Sequence, residues 1–385
     1  MRTEFLQFSP PSISREEIDE VVDTLSSDWI TTGPKTKRFE QEFAAYLGAD
    51  AALALNSCTA GLHLALAVLG IGSGDEVITT PLTFCSTVNV IEHVGARPLL
   101  VDVDAETLNI SPSLVEKAIT PRTRAVMPVH YTGHPCEMDE IMNIAGERRL
   151  FVVEDAAHAL SAQYKGKTIG TIGDLTAFSF YATKNLTTAE GGMLTGEPGL
   201  IEQARSLSLH GMNRDAWKRY DKGGSWYYEV ESPGFKYNMT DIQASIGLQQ
   251  LKKLNGFQQR RQEIVRKYNE AFASCPCVQI PVQRPYVKHA WHLYTLRLNL
   301  NTLKIGRDRF IEELKERNIG TSVHFIPIHL HPYYREKYGF QPEDFPVAYS
   351  NFLRLISLPL YPRMSDHDAD DVIEAVLDVA ERYKR

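Results

Sequence analysis

Lys184 closes the run Phe178-Ser179-Phe180-Tyr181-Ala182-Thr183, Asp155 closes Phe151-Val152-Val153-Glu154, His158 follows three residues after that acid, and Glu190-Gly191-Gly192 lies just beyond the lysine. An acid thus ends one apolar run, and a Ser and a Lys follow a later one. If both runs are strands of an open α/β sheet, these side chains converge at the carboxyl ends of the strands, where such sheets bind ligands. A lysine beside a buried carboxylate and a Ser/Gly-rich loop is suited to carrying an aldehyde cofactor, because burial favours the free amine that attacks a carbonyl. The carboxylate of Asp155 would keep a pyridine nitrogen protonated, making the ring an electron sink. Taken singly, Asp155 reads equally as a turn cap and Lys184 as a solvated surface charge. Their combination points to one site.

A phosphate cradle should accompany such a ring. Asn56-Ser57-Cys58-Thr59-Ala60-Gly61 lies between an apolar run and a helical pattern, where backbone N–H groups and the helix dipole favour an anion. Ser179 could add a hydroxyl. By itself the segment also reads as a plain strand-to-helix turn with a Ser/Thr cap. Phe84, in Pro81-Leu82-Thr83-Phe84, could stack on the face of a cofactor, although taken alone it reads as a core residue.

The elements that would hold these groups can be read from the alternation of short apolar runs with helical stretches, the pattern of a largely parallel, mostly buried sheet. Seven strand candidates fall at 52–57, 76–80, 98–103, 125–130, 151–155, 175–180 and 191–195, with helices in the gaps, for example Gly61–Leu69, Phe84–His93 and Pro112–Ala118. An earlier helix over Ser14–Ser26 starts with Ser14 and Glu17 in capping-box spacing. It leads into the irregular segment Trp29-Ile30-Thr31-Thr32-Gly33-Pro34. One long helix from Asp241 to Phe272 suits a link between two units. Beyond it, strand candidates at 278–280, 293–299 and 321–325 and helices at 306–317 and 366–383 predict a small α+β domain. The expected division is a large α/β domain over 1–245, with an N-terminal arm over 1–35, and a linker helix plus small domain over 246–385.

The chain has 385 residues, 43% hydrophobic and 23% charged, with a net charge of −7. That length exceeds a single core, and the balance excludes a disordered or fibrous chain. No Lys/Arg-rich run marks a nucleic-acid partner, and no apolar run of the ~20 residues needed to span a bilayer occurs. The N-terminus lacks the pattern of a signal peptide, so a cytoplasmic location is expected. Five scattered cysteines read as reduced thiols, and Cys275-Pro276-Cys277 has no second ligand cluster to make a metal site.

The segments NSCTAGLHLAL, PLTFCSTVNVI, DVDAETLNI, VVEDAAHALSAQYKGKTIGTIGD, FSFYATKNLTTAEGGML, SPGFKYNMTDIQASIGLQQL and SLPLYP resemble the fold-type-I nucleotide-sugar aminotransferases of the DegT family, from about Phe8 to the final helix. The resemblance implies a fold-type-I α/β architecture, with a mostly parallel seven-stranded sheet between helices and a smaller C-terminal α+β domain. It implies pyridoxal 5′-phosphate held as a Schiff base on Lys184, which later shuttles a proton between substrate carbon and cofactor. Asp155 would pair with the pyridine nitrogen, Phe84 would stack on the ring, and His158 would lie near the ring hydroxyl, with a satisfied structural histidine as the rival role. Cys58, Thr59 and Ser179 would hold the phosphate, Cys58 through its backbone N–H.

The same resemblance implies a homodimer with shared active sites, each completed by the partner's Gly234-Phe235-Lys236-Tyr237-Asn238 loop. Many members read Gly-Phe-Asn-Tyr-Arg there. Asn238 is the expected phosphate contact, with its division of labour with Lys236 left open. Thr31, Thr32, His130, Tyr131, His210, His324 and His329 fall where relatives line the sugar or nucleotide. The histidines lie on different elements without HxxxH spacing, which favours polar substrate contacts over a metal site. The implied reaction moves an amino group from L-glutamate to a keto group of a nucleotide-linked deoxysugar, for lipopolysaccharide or other glycan biosynthesis. The Trp226-Tyr227-Tyr228-Glu229-Val230 stretch resembles enzymes acting at C4 and favours a UDP carrier. Alternatives are a C3 keto group on a dTDP-sugar and a non-catalytic cofactor-binding regulator. Relatives that dehydrate sugars have histidine at the Schiff-base position, against which Lys184 argues.

Overall fold

A computed structural model describes residues 2–212 and 227–385. Its centre is a seven-stranded sheet whose strands are β1 (Ala51–Leu55), β2 (Glu76–Thr79), β3 (Arg97–Leu100), β4 (Thr123–Val126), β5 (Phe151–Asp155), β6 (Leu175–Ser179) and β7 (Gly192–Gly196). In space they run β1-β7-β6-β5-β4-β2-β3. The pairs from β6 to β3 are parallel, and β7 lies antiparallel to both neighbours. Every strand candidate of the first 200 residues therefore belongs to this one sheet.

Both faces of the sheet are buried, as the near-continuous apolar runs require. Alternate residues feed opposite cores: Ala52, Ala54, Ile78, Val152, Phe178 and Met193 join one with Phe39, Phe43 and Leu248. Leu53, Leu55, Val77, Val153, Ala177 and Leu194 join the other with Leu62, Leu66 and Ile91. This period of two places neighbouring residues of β5 on opposite sides.

The helix Cys58–Val68 begins where β1 ends, and the Ser57 side chain accepts from Ala60 N at its first turn. Gly192 of β7 passes directly beneath this start: a Cβ there would lie 2.4 Å from Ser57 C and 2.5 Å from Cys58 N. Only glycine permits so close an approach. The helix Arg15–Ser26 has its expected start, with the Ser14 N–H donating to Glu17 Oε2 at 2.9 Å.

The long helix Asp241–Phe272 crosses from one core to another. Leu248, Leu251 and Leu254 pack with the large sheet, whereas Ile264, Val265, Tyr268 and Phe272 join a second core with Leu296, Phe310 and Val376. The N-terminal Leu6 also packs into this second core, held by backbone bonds to Asn318 and Gly320. The small sheet there has strands Val278–Gln279, Tyr294–Leu298 and Leu355–Leu358. The expected strand over 321–325 does not form. Only Ser322 pairs, with Ser357, because the chain then leaves the sheet to carry His324 and Phe325 into the cavity described below. Tyr294–Leu298 is the central strand, paired antiparallel with Val278–Gln279 on one side and Leu355–Leu358 on the other.

Candidate active site

A cavity of about 490 Å³ opens at the carboxyl ends of the strands. Its lining brings together Cys58, Thr59, Phe84, Asp155, His158, Ser179, Lys184 and His324, which come from five separate segments of the chain. Asp155 and Ser179 end strands, Cys58 and Thr59 start a helix and Phe84 precedes one, whereas His158, Lys184 and His324 lie in irregular segments outside any strand or helix.

Asp155 ends β5 and is 4% exposed. Thr87 Oγ1 donates to its Oδ2 at 2.7 Å and Ala157 N–H to its Oδ1 at 3.1 Å, so the carboxylate is fixed in orientation. Thr87 is itself 2.7 Å from Thr83, one helical turn earlier. Burial pushes the Asp155 carboxyl above its ordinary range, against the lowering effects of Thr87, Ala157 and Lys184. A proton shared at this carboxylate is held tightly.

Lys184 is half-buried in a tight turn, its N–H donating to Tyr181 O at 2.9 Å. Desolvation lowers its ammonium to about 8, although Cys58 and Asp155 pull the other way. About a tenth of the side chain is then free amine at neutral pH. Burial, with Asp155 beside it, raises the Cys58 thiol well above its usual range, so this residue stays a neutral thiol and offers the site its backbone N–H. The N–H groups of Cys58 and Thr59 open their helix and have no partner within it.

His158 is pushed well below its ordinary value, first by burial and then by Lys184 and His324. Its buried Nδ1 has no hydrogen-bond partner, a costly arrangement unless a ligand supplies one. Phe84 is 58% exposed at the cavity mouth, its ring 5.9 Å from that of Phe325. Phe325 also stacks on His158 at 5.7 Å. His324 Nδ1 lies 2.8 Å from Ser357 Oγ, and burial lowers the ring to about 4.

Other residues singled out from the sequence lie elsewhere. His130 is fully buried beneath the sheet's end, its Nε2–H donating to Glu154 Oε2 at 2.8 Å and its Nδ1 accepting from Cys136 N at 3.0 Å. Tyr131 is buried, with its hydroxyl on the His324 carbonyl. His329 is buried against Phe345 and Pro342, and His210 is an exposed turn residue with φ +61. Thr31, Thr32 and Asn238 gather outside the cavity lining. Asn238 Nδ2 donates to Thr32 Oγ1 at 2.6 Å and its Oδ1 accepts from Lys236 Nζ at 2.5 Å, while Thr31 O accepts from Asp241 N at 3.1 Å. Asp241 also holds this turn through Gly33 N and Thr36 N. Of the stretch 226–230, Trp226 lies outside the described residues.

The cavity also contains residues the sequence reading missed, among them Thr83, Tyr181, His292 and Phe325. Thr83 sits in the segment already singled out for Phe84, and its i, i+4 spacing to Thr87 was a usable signal. His292 and Phe325 arrive from the C-terminal third with no local pattern to announce them. Among the described residues no cluster of His, Cys, Asp and Glu is arranged to hold a metal ion, and no helix is long and apolar enough to cross a membrane.

Comparison with known proteins gives a consistent result. The model of the DegT/DnrJ/EryC1/StrS aminotransferase family matches residues 11–377. The Bacillus subtilis spore coat polysaccharide biosynthesis protein SpsC is 56% identical over 380 residues, 98% of each chain. An uncharacterised Methanocaldococcus jannaschii protein is 59% identical over 377 residues, again 98% of each. A Streptococcus pneumoniae protein assigned as a sugar aminotransferase, solved in its PLP form, superposes with a TM-score of 0.92 at 39% identity, covering 98% of this chain and 99% of that one.

Proposed function

Because the chain belongs to the DegT/DnrJ/EryC1/StrS aminotransferase family, we propose that its cavity moves an amino group from L-glutamate to the C4 keto group of a UDP-linked deoxysugar, for the synthesis of a glycan. The protein is a pyridoxal-phosphate-dependent sugar aminotransferase, as the family and a neighbour solved in both PLP and PMP forms indicate. The single observation that carries the reading of the site is the convergence of Asp155, the unpartnered His158 Nδ1 and Lys184 on one cavity beside the helix start at Cys58.

These residues fit the cofactor. The close passage of Gly192 leaves the Ser57–Cys58 backbone bare of any side chain from that side, and the orphaned His158 nitrogen needs a polar partner. Pyridoxal 5′-phosphate, when bound, supplies an aldehyde that links to amines and a ring that accepts the electron pair released at the amino donor's Cα. Asp155, oriented by Thr87, holds the proton at the ring nitrogen. Cys58 and Thr59, through their N–H groups, and Ser179, through its hydroxyl, hold the phosphate. Phe84 would pack on the ring and His158 would supply a polar partner for its hydroxyl. Lys184 would hold the cofactor through its aldehyde and would carry the proton between the donor Cα and cofactor C4′. Its lowered pKa suits both steps, since one group must release and accept a proton near neutral pH. With the keto sugar, Lys184 would move the proton in the opposite direction.

Asn238, Lys236 and Thr32 lie together outside their own cavity lining, and we assign them to a neighbouring site in a homodimer, with Asn238 on the phosphate. Thr31, His210 and His324 would meet the sugar nucleotide. The free cysteines accord with work in the cytoplasm. The test is turnover with L-glutamate on a panel of UDP- and dTDP-linked 3-keto and 4-keto sugars, read as 2-oxoglutarate release and amino-sugar mass. Turnover greatest on a UDP-linked 4-keto sugar is expected. Turnover confined to 3-keto or dTDP-linked sugars overturns the substrate assignment, and a bound cofactor with no turnover on any amino donor points to a regulator instead.

A further inference from the structure

The segment around His292 has no part in the chemistry assigned above, yet it grips the residue after the lysine. Asn185 is buried and both ends of its amide are engaged: Nδ2 donates to Ala290 O at 2.8 Å, and Oδ1 accepts from His292 Nδ1 at 3.1 Å. A carbonyl can only accept, so Ala290 fixes which way the amide faces, and the amide in turn fixes the His292 proton on Nδ1. His292 is anchored on its other side. Its N–H donates to Thr132 O at 3.0 Å, and its carbonyl accepts from Arg261 at 3.2 Å. Arg261 is a buried guanidinium of the long helix that also reaches the carbonyls of Trp291 and Leu360. The His292 ring lines the cavity, 4.5 Å from the ring of His158.

We propose that His292 is a positioning residue for Lys184, acting through Asn185 to set the lysine turn so that the amine faces the incoming aldehyde. The inference rests on the reading that Lys184 captures the cofactor. The geometry that supports it is directional: the hydrogen bond falls on the residue adjacent to Lys184, and its donor is fixed to a helix that spans both cores. Burial, together with Lys184 and the neighbouring His158 and Arg261, keeps the ring well below its usual value. The neutral ring donates from Nδ1 without placing another positive charge beside the lysine.

The experiment separates capture from binding. Full-length apoenzyme is mixed with pyridoxal phosphate, whose aldehyde condenses with the amine and releases water, and in parallel with pyridoxamine phosphate, which needs no bond to Lys184. Capture is followed by visible absorbance and borohydride trapping, and pyridoxamine phosphate binding by fluorescence titration. His292→Leu is expected to slow capture about tenfold or more, since small misplacements of a reacting group are costly, while pyridoxamine phosphate affinity stays within about twofold. His292→Asn, which keeps an N–H donor close to the position of Nδ1, should recover most of the rate. Asn185→Ala should match His292→Leu, and the double variant should be no slower than either, as two links of one chain require. Unchanged capture in His292→Leu overturns the proposal, as does an equal loss of both ligands or a failure of His292→Asn to recover. A wild-type protein that borohydride does not trap at Lys184 would overturn the cofactor reading itself.

Discussion

Glu154 and Asp155 are neighbours on one strand, both almost wholly buried, and they face opposite sides of the sheet into unlike surroundings. Glu154 has every demand met: Oε1 accepts from Gly173 N and Thr176 Oγ1, both at 2.8 Å, and Oε2 accepts from His130. Asp155 is oriented by Thr87 and Ala157 but lies on a cavity wall, beside a lysine and a histidine with an orphaned nitrogen. The two histidines repeat the contrast, His130 engaged at both nitrogens and His158 lacking a partner at Nδ1. A closed network of this kind specifies a fold. Buried groups whose partners are missing on the cavity side, with shifted pKa values, mark a place built for something else.

The sharpest way to break this contrast is Lys184→Ala. Sugar amination should fall about 10³-fold or more, as expected for loss of both nucleophile and proton carrier, with borohydride labelling abolished and the thermal midpoint close to wild type. Turnover near wild type in that variant would remove the centre of the site.

Matched amide substitutions at the two acids test the comparison itself. Asp155→Asn should lower kcat about 10²-fold with little change in denaturant midpoint. Glu154→Gln should instead cost about 1–3 kcal/mol of stability, measured by urea unfolding. The reason is geometric: an amide NH₂ there must face either the Gly173 and Thr176 donors or the His130 N–H, and Cys136 already occupies the other His130 nitrogen. Equal effects on turnover and stability at both positions would erase the distinction between site and scaffold.

The smallest expected effect is in pH. Only the free amine of Lys184 attacks, and its fraction rises about tenfold per unit up to the pKa. Capture of pyridoxal phosphate by apoenzyme should therefore climb with pH and level off near 8, the value set by burial. A rise that continues to the ordinary lysine value of 10.5 would mean that the side chain sits in water.

Much of this was legible before the fold was known. The seven runs that became the large sheet were bounded by turn residues and buried on both faces, so apolar continuity alone marked them. The helix from Asp241 to Phe272 showed its extent, whereas its Thr240 cap emerged only in the structure. The run 321–325 misled because Thr321, Val323 and Phe325 look like strand residues, whereas His324 and Phe325 serve the cavity rather than a ladder. His130 and Tyr131 followed a strand end just as Asp155 does, and nothing local distinguishes a side chain turned toward the cavity from one turned under the sheet.

The sequence by itself determined the cofactor chemistry that Lys184 and Asp155 suggest, the order of strands and helices that carries it, and the family. Those features are local, written in residue type and short spacing. Only the tertiary structure decided which polar groups were satisfied and which were left facing the cavity, why Gly192 must be glycine, and that His292 and Phe325 from the last hundred residues close around a lysine placed far earlier in the chain. Hydrogen-bond completion and desolvation depend on every neighbour in space, and those neighbours come from segments whose separation in sequence carries no record of their meeting.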